Sequence, residues 1–360
     1  MNRRSLTTAT VLTLALVATG CGSTKTSGSA AAGKGAKIAL LLPESKTTRY
    51  EAFDRPLFEA KVKALCATCE LTYANADQDA AKQLSQAEAA LAQGAKVLVL
   101  DAVDGASMVA FVKKAKAKGV TVIAYDRLIS GTPIDAYVSF DNVKVGEAQG
   151  AALLEAISAG GDPKRGKIVM INGAPTDPSA AEYKKGAHNA LDGKVDIGRE
   201  FDTPDWSPDK AQQEMEQAIT ALGKDAIVGV YAANDGTAGG AIAAMQRAGF
   251  AKLPPITGQD AELAAVQRIL TGQQYMTIYL DIRAEAEASA ELAVKAATGV
   301  ALSAPTKVNN GAGDVPSVLL APISVTRAKV KDTIIKDGFY KAADVCTGEV
   351  AAACAELGIK

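Results

Sequence analysis

The sequence predicts an α/β protein made of two doubly wound parallel-sheet lobes. From residue 37 onward, short apolar runs alternate with helical stretches. Continuous apolar strands spaced by helices are typical of a parallel sheet that is covered on both faces. The rhythm occurs in two successive sets, and a chain of 360 residues is too long for a single hydrophobic core.

The two sets of apolar runs define the expected strands in order. The first set contains the runs at 37–43, 96–100, 120–125 and 136–140. The second set contains the runs at 167–171, 195–201, 226–233, 255–260 and 275–280. A helix is expected at 50–65, after the first run. No long linker separates the two sets, so short crossings must join the lobes.

Residues 1–20 are predicted to be an export leader. Two arginines precede an apolar stretch at 6–18, which is too short to span a bilayer comfortably. Small residues then stand directly before Cys21 and resemble the bacterial lipobox. We expect a product anchored to the outer face of the cell membrane through lipidated Cys21, with 21–36 as a flexible tether. The alternative is an ordinary signal peptide with an incidental cysteine.

Four of the five cysteines remain if Cys21 carries lipid. An even count in an oxidising compartment favours two local disulfides. The expected pairs are Cys66 with Cys69 and Cys346 with Cys354. A redox role for the first pair is the alternative. The sole histidine, His188, is expected to be solvated, and no metal site is predicted.

Composition and motifs argue against several function classes. With 39 basic and 40 acidic residues, the chain lacks the basic excess of a nucleic-acid binder. It has no GxSxG, no phosphate-binding GxxxxGK[ST] and no GxGxxG spacing at residues 236–240. A glycosidase pair, Asp126 and Asp260, is disfavoured because Arg127 should keep the carboxylates ionised. We therefore expect a protein that is not an enzyme and uses no cofactor.

Polar side chains follow most of the predicted strands. In open parallel sheets, ligands bind beyond the carboxyl ends of the strands. Aspartate and asparagine also cap helices, so each one taken singly has a structural explanation. The residues in these positions are Arg49, Asp101, Asp126, Arg127, Asp141, Asn142, Asn172, Asp177, Asp205, Trp206, Asn234, Asp235, Gln259 and Asp260.

Arg127 and Trp206 distinguish this set from a collection of helix caps, because neither residue type is a usual cap. An arginine fork supplies paired donors, and carboxylates and amides pair with adjacent hydroxyls. The only tryptophan of the chain could cover the apolar face of a sugar ring. A core tryptophan is the alternative, although the surrounding residues 203–208 indicate a turn. The set suits an uncharged polyol.

Several collinear motifs are similar to those of the bacterial xylose-binding protein family. They cover roughly residues 37–341 and include AYDRLISG, SFDNVKVGE, NDGTAGGAI, TGQDAEL, MTIY, DVPSVLLAPISVT and IKDGFYK. The resemblance implies a periplasmic-binding-protein type I fold, in which two lobes close about a three-stranded hinge on one monosaccharide. It also implies the sugar-capturing component of an ATP-driven (ABC) importer.

The resemblance implies an organisation and a set of partners. The N-terminal lobe would comprise 37–142 and 282–316, and the C-terminal lobe 143–281 and 317–360. The partners would be a monosaccharide, the importer permease with its ATPase, and the membrane through the lipid. The receptor would be a monomer. The alternative is a chemosensory or autoinducer-type receptor that signals to a membrane sensor kinase.

The resemblance also assigns individual site residues. Two positions depart from the family pattern in ways that bear on specificity: Ser179, where asparagine is frequent, and Leu280, where lysine usually follows the strand. Tyr50 also departs, since it stands where the family has a stacking tryptophan. The residues expected to contact ligand are Arg49, Tyr50, Asp126, Arg127, Asp177, Trp206, Asn234 and Asp260.

Overall fold

The computed structural model describes residues 35–360, in which strands and helices alternate as predicted. The leader, Cys21 and the tether up to residue 34 lie outside the described residues. The strands are β1 (Lys37–Leu42), β2 (Glu70–Asn75), β3 (Val97–Leu100), β4 (Thr121–Tyr125), β5 (Ala136–Phe140), β6 (Lys167–Asn172), β7 (Asp196–Asp202), β8 (Ile227–Ala232), β9 (Met276–Tyr279), β10 (Thr306–Asn309), β11 (Asp314–Leu320) and β12 (Ile323–Thr326).

The helices connect and cover these strands. A π-helical turn at Tyr50–Asp54 leads into the first α-helix, so the helix expected at 50–65 is present with a wider first turn. The α-helices are α1 (Arg55–Leu65), α2 (Ala80–Ala92), α3 (Val109–Ala117), α4 (Asn142–Ser158), α5 (Pro178–Leu191), α6 (Pro208–Leu222), α7 (Asp235–Arg247), α8 (Leu263–Leu270), α9 (Ile282–Ala297), α10 (Ala342–Val345) and α11 (Val350–Glu356).

One lobe contains a seven-stranded sheet in the order β10-β11-β5-β4-β3-β1-β2. All its pairings are parallel except that of β10 with β11. Helices α2 and α3 pack on one face, and α1 and α9 pack on the other. Strands β1, β3, β4 and β5 are buried almost throughout, which explains their uninterrupted apolar sequences.

The second lobe has a smaller parallel sheet in the order β7-β6-β8. Helices α4 and α5 cover one face, and α6 and α7 cover the other. The strand predicted at 255–260 is not formed. This segment lies between β8 and β9 and makes only isolated bridges, from Ile256 to Val230 and from Gln259 to Ile278. The ladder is interrupted at Thr257, whose side-chain oxygen accepts the Ala232 N–H in place of a backbone carbonyl. Strand β9 then pairs antiparallel with β12.

The chain passes between the lobes at three places in the described range, as the predicted hinge requires. The crossings lie between β5 and α4, between β9 and α9, and between β11 and β12. Strand β11 pairs with β5 as far as Leu320, so the boundary predicted after 316 falls within this strand. Each crossing is only one or two residues long.

Both expected cysteine pairs lie at disulfide distance. The Sγ atoms of Cys66 and Cys69 are 2.02 Å apart at the end of α1. Those of Cys346 and Cys354 are 2.06 Å apart and hold α10 and α11 together. The described residues 35–360 contain no helix that is long and apolar enough to cross a membrane.

Candidate ligand-binding site between the lobes

The carboxyl ends of strands from both lobes face one another across a small cavity. All eight residues predicted to contact ligand line it. The complete lining is Thr47, Arg49, Tyr50, Asp126, Arg127, Asp177, Tyr183, Trp206, Asn234, Gln259 and Asp260.

Arg49 lies just after β1 and is almost fully buried. Its Nε and Nη2 atoms donate to the two carboxylate oxygens of Asp54 at 3.0 and 2.7 Å. Nη2 also donates to Glu285 at 2.5 Å, and Nη1 lies 3.3 Å from Asp126. The surrounding carboxylates raise the pKa of Arg49 against the opposing effect of burial. A permanent cation is thus fixed in the cavity wall.

Arg127 follows β4 and links the two lobes. Its Nε lies 2.9 Å from an oxygen of Asp177, which precedes α5 in the other lobe. The hydroxyl of Tyr50 accepts from Arg127 Nη2 at 3.3 Å and lies 3.2 Å from Asp126 Oδ2, to which it donates. Behind Arg127, the buried Asp101 lies 3.4 Å from its Nε. These contacts fix one orientation of the guanidinium.

Asp126 has a left-handed backbone with φ of 59°. Its carbonyl accepts hydrogen bonds from Ser139 Oγ at 2.7 Å and from Tyr137 Oη at 3.1 Å, both on β5. Non-glycine residues rarely adopt this conformation, and such strain is concentrated at functional sites. The backbone turn directs the carboxylate towards Arg49 and Tyr50.

Trp206 forms part of the cavity wall from a short turn between β7 and α6. Its indole Nε1 donates to Asp177 Oδ2 at 3.0 Å, and its ring meets Tyr183 edge-on with centroids 6.4 Å apart. The ring also lies against Gly173, where an added Cβ would stand 2.1 Å from it. Trp206 therefore fits both predicted roles, that of a core tryptophan and that of a ligand contact. One side of its ring packs into the core of the second lobe, and another side lines the cavity.

Asn234 and Asp260 line the cavity from the second lobe. The amide oxygen of Asn234 accepts from the Thr237 N–H at 2.9 Å and caps α7. Within the described residues, its amide nitrogen makes no hydrogen bond. Burial raises the pKa of Asp260 to about 7, although the charge of Arg49 opposes this shift. Gln259 Nε2 lies 3.4 Å from the Asp260 carboxylate.

The two predicted specificity positions are not part of the lining. Leu280 is fully buried in the apolar core of the second lobe. Ser179 is also buried, and its N–H donates to Asp177 Oδ1 at 2.8 Å. Neither side chain therefore contacts the cavity; Ser179 touches Asp177, which lines it, only through its backbone N–H.

Several other strand-end residues have structural roles away from the cavity. Asp141 caps α4, and Asn172 donates to Glu200 and Asp202. Asp205 pairs with Lys210 at 2.7 Å. His188 is partly exposed to solvent, in agreement with the prediction, and its ring nitrogens lie 2.8 and 3.1 Å from Asp192 and Glu200.

The cavity wall combines two arginines, several carboxylates and two amides with aromatic surfaces. Such a wall can donate to and accept from adjacent hydroxyls while an aromatic ring covers apolar carbons. Residues 35–360 contain no group of three or more histidine, cysteine or acidic residues placed to hold a metal ion. The arrangement suits a small neutral ligand rich in hydroxyl groups.

Comparisons with known proteins agree with this architecture. Residues 38–301 match the family described as the periplasmic binding protein domain. The chain is 39% identical over 321 residues to the D-xylose-binding periplasmic protein of Escherichia coli K12, covering 88% of this chain and 94% of that one. It is 37% identical to the D-xylose-binding periplasmic protein of Haemophilus influenzae, covering 87% and 92%.

A solved structure shares the fold over nearly its whole length. It is an ABC transporter solute binding protein from Clostridium phytofermentans with bound β-D-glucose, with a TM-score of 0.79 and 29% identity. The match covers 86% of this chain and 99% of that chain. The predicted type I fold is confirmed, and the chain belongs to the periplasmic binding protein family, among relatives of the bacterial xylose-binding proteins.

Proposed function

We propose that this protein encloses one monosaccharide between its lobes and releases it unchanged. The observation that carries the proposal is the convergence of all eight predicted residues, from both lobes, on one cavity. The relatives support it, since two are named for D-xylose binding and a structural neighbour holds β-D-glucose. These relatives are named as binding proteins, which agrees with the prediction that the chain is not an enzyme.

The preferred sugar is a pentose or hexose related to xylose. Leu280 stands where the family usually has a lysine, but it is buried in the lobe core and does not line the cavity, so it supplies no contact to the ligand. Ser179 contacts Asp177 through its backbone N–H, which an asparagine would supply equally. Tyr50, which lines the cavity where the family has a stacking tryptophan, is the departure from which we expect a preference different from that of a xylose-specific receptor.

The receptor is proposed to deliver its sugar to the permease and ATPase of an ABC importer. It would act as a monomer, held at the outer face of the cell membrane by lipid on Cys21. The support is the lipobox-like sequence before Cys21. A Cys21→Ser variant should be recovered in the soluble fraction; equal membrane retention would contradict the anchor.

A thermal-shift screen of pentoses, hexoses and small disaccharides tests the proposal. A ligand that binds the native state alone raises the melting temperature. We expect at least one monosaccharide to raise it, and the sugar recovered afterwards to be chemically unchanged. A flat response across the panel, or a converted sugar, would overturn the receptor function.

A further inference from the structure

Three carboxylates surround the single positive charge of the Arg49 guanidinium. Asp54 accepts from Nε and Nη2, Glu285 accepts from Nη2, and Asp126 lies near Nη1. A guanidinium has five N–H groups. Asp54 and Glu285 occupy the three on Nε and Nη2, so the two on Nη1 remain. Of the three carboxylates, only Asp126 lines the cavity.

Glu285 reaches Arg49 from a distant part of the sequence. It lies in the first turn of α9, soon after the crossing that follows β9, and its side chain is fully buried. Its neighbours on the same helix, Ala286 and Ala290, pack in the apolar core of the first lobe. A carboxylate in such surroundings is costly unless it is well paired.

A contribution to fold stability does not by itself explain why a carboxylate occupies this buried position. Replacing a buried ion pair by apolar side chains of similar volume is often neutral or stabilising. A charged acceptor does, however, fix the direction of the group that it binds. The Glu285 contact uses the Nη2 hydrogen that Asp54 leaves unpaired, and so removes the remaining freedom of the guanidinium.

We propose that Glu285 and Asp54 are positioning residues that lock Arg49 so that Nη1 alone is presented to the ligand. This inference rests on the proposed sugar-binding function of the same cavity. Asp54 sets the plane of the guanidinium through two hydrogen bonds, and it also accepts from the Tyr125 hydroxyl. Glu285 closes the edge of that plane opposite the cavity.

Calorimetric titration with D-xylose and D-glucose tests this assignment. Glu285→Leu keeps the volume in an apolar environment but removes the acceptor, and should weaken affinity by roughly tenfold or more. Glu285→Gln should restore most of the affinity, because its amide oxygen still accepts from Nη2. Burial raises the pKa of Glu285, so a neutral acceptor is compatible with the site.

Glu287→Gln is the matched control. Glu287 lies on the same helix, but it is partly exposed and pairs with Lys61 at 3.2 Å. This variant should bind as the wild type does. If Glu285→Leu melts at a lower temperature but keeps its affinity, Glu285 is merely structural and the positioning role is overturned. If Glu285→Leu does not fold, Asp54→Asn provides the same comparison.

An Arg49→Lys background separates this inference from the proposed site. Lysine lacks the planar fork that Glu285 is proposed to orient. If Glu285 acts only through the Arg49 guanidinium, adding Glu285→Leu to Arg49→Lys should lower the affinity by less than about twofold more. A full additional tenfold loss would contradict the positioning role. If Arg49→Lys itself leaves the affinity unchanged, Arg49 is not a ligand contact and the proposed site also fails.

Discussion

At the scale of single residues, Asp260 has an acid–base property that follows directly from its position. The residue is 5% exposed and lies near Asp126 and Glu262, whose charges add to the effect of burial. The resulting pKa of about 7 exceeds its ordinary value of 3.8. Between these values, the folded chain binds a proton that the unfolded chain has lost. Stability contributed by this group therefore falls as pH rises from about 4 to 7.

Asp260→Asn should remove this loss of stability. We expect the variant to melt a few degrees above the wild type at pH 8 and near the wild-type temperature at pH 4. Ligand-free protein is measured by calorimetric melting across that range. A melting difference that is the same at both pH values would show that Asp260 does not titrate in this window.

The sequence predicted most of the site residues because they follow strands, where topology brings side chains together. Tyr183 was missed because it lies on the second turn of α5 and reaches the cavity from a helix. Glu285 was also missed, because only the tertiary structure brings it to Arg49 from 236 positions away. Asp54 was missed although it is near Arg49 in sequence, since it lies in a helical turn and not at a strand end. Leu280 was predicted to affect specificity from the family resemblance alone, and a resemblance in sequence does not show that the side chain is buried in the core.

At the scale of elements, the end of β6 and the turn after β7 must approach closely. Gly173 follows β6, and an added Cβ there would stand 2.1 Å from the Trp206 ring. Gly173→Ala should therefore displace the indole and lower sugar affinity by roughly tenfold or more, with overpacking costing about 1–3 kcal/mol of stability.

Calorimetric titration and denaturant unfolding measure both effects of Gly173→Ala. Gly239→Ala is the control, because this helical glycine has its nearest neighbour at an ordinary 3.4 Å. Wild-type affinity in Gly173→Ala would show that the indole position is not critical for binding.

The C-terminal helices α10 and α11 provide a second test at this scale. Cys346 and Cys354 are eight residues apart and pack near α8, away from the cavity. Closing so short a loop is worth about 2.5 kcal/mol in the chain-entropy model. The double serine variant should lose up to this amount in denaturant unfolding and keep its sugar affinity. Unchanged stability would mean that the pair does not form a stabilising disulfide.

Strands were predictable where both sheet faces are buried, but not at the sheet edge. Strand β2 lies at the edge of the first sheet, and its residues are mostly half-buried or exposed, so no apolar run marks it. The segment at 255–260 shows the reverse: its apolar start predicts a strand, but it forms only isolated bridges because the Thr257 side chain accepts the Ala232 N–H in place of a backbone carbonyl. Local pattern does not reveal such an interruption.

At the scale of the whole molecule, contacts between side chains of the two lobes hold them in a closed arrangement. Arg127 pairs with Asp177, and the Thr48 N–H donates to Glu262 at 3.3 Å. The ring of Phe53 from the first lobe also stacks on Phe339 of the second, with centroids 4.2 Å apart. Hinge closure around ligand then depends on contacts to both lobes.

Phe53→Ala should shift the equilibrium towards open lobes without altering the cavity wall. Apparent affinity falls in proportion to the closed, binding-competent fraction, so we expect a loss of several-fold. Small-angle X-ray scattering should show a larger ligand-free radius of gyration in the variant and recovery on adding sugar. Identical scattering and affinity in both proteins would mean that this stack does not contribute to closure.

The central claim is that one sugar is held between the lobes against Trp206. Isothermal titration of the wild type and Trp206→Ala with the sugar that gives the largest thermal shift tests it most directly. We predict one site per chain in the wild type and a loss of affinity of roughly a hundredfold in the variant, within the range for truncating a buried aromatic anchor. Equal affinity in the two proteins would contradict the account.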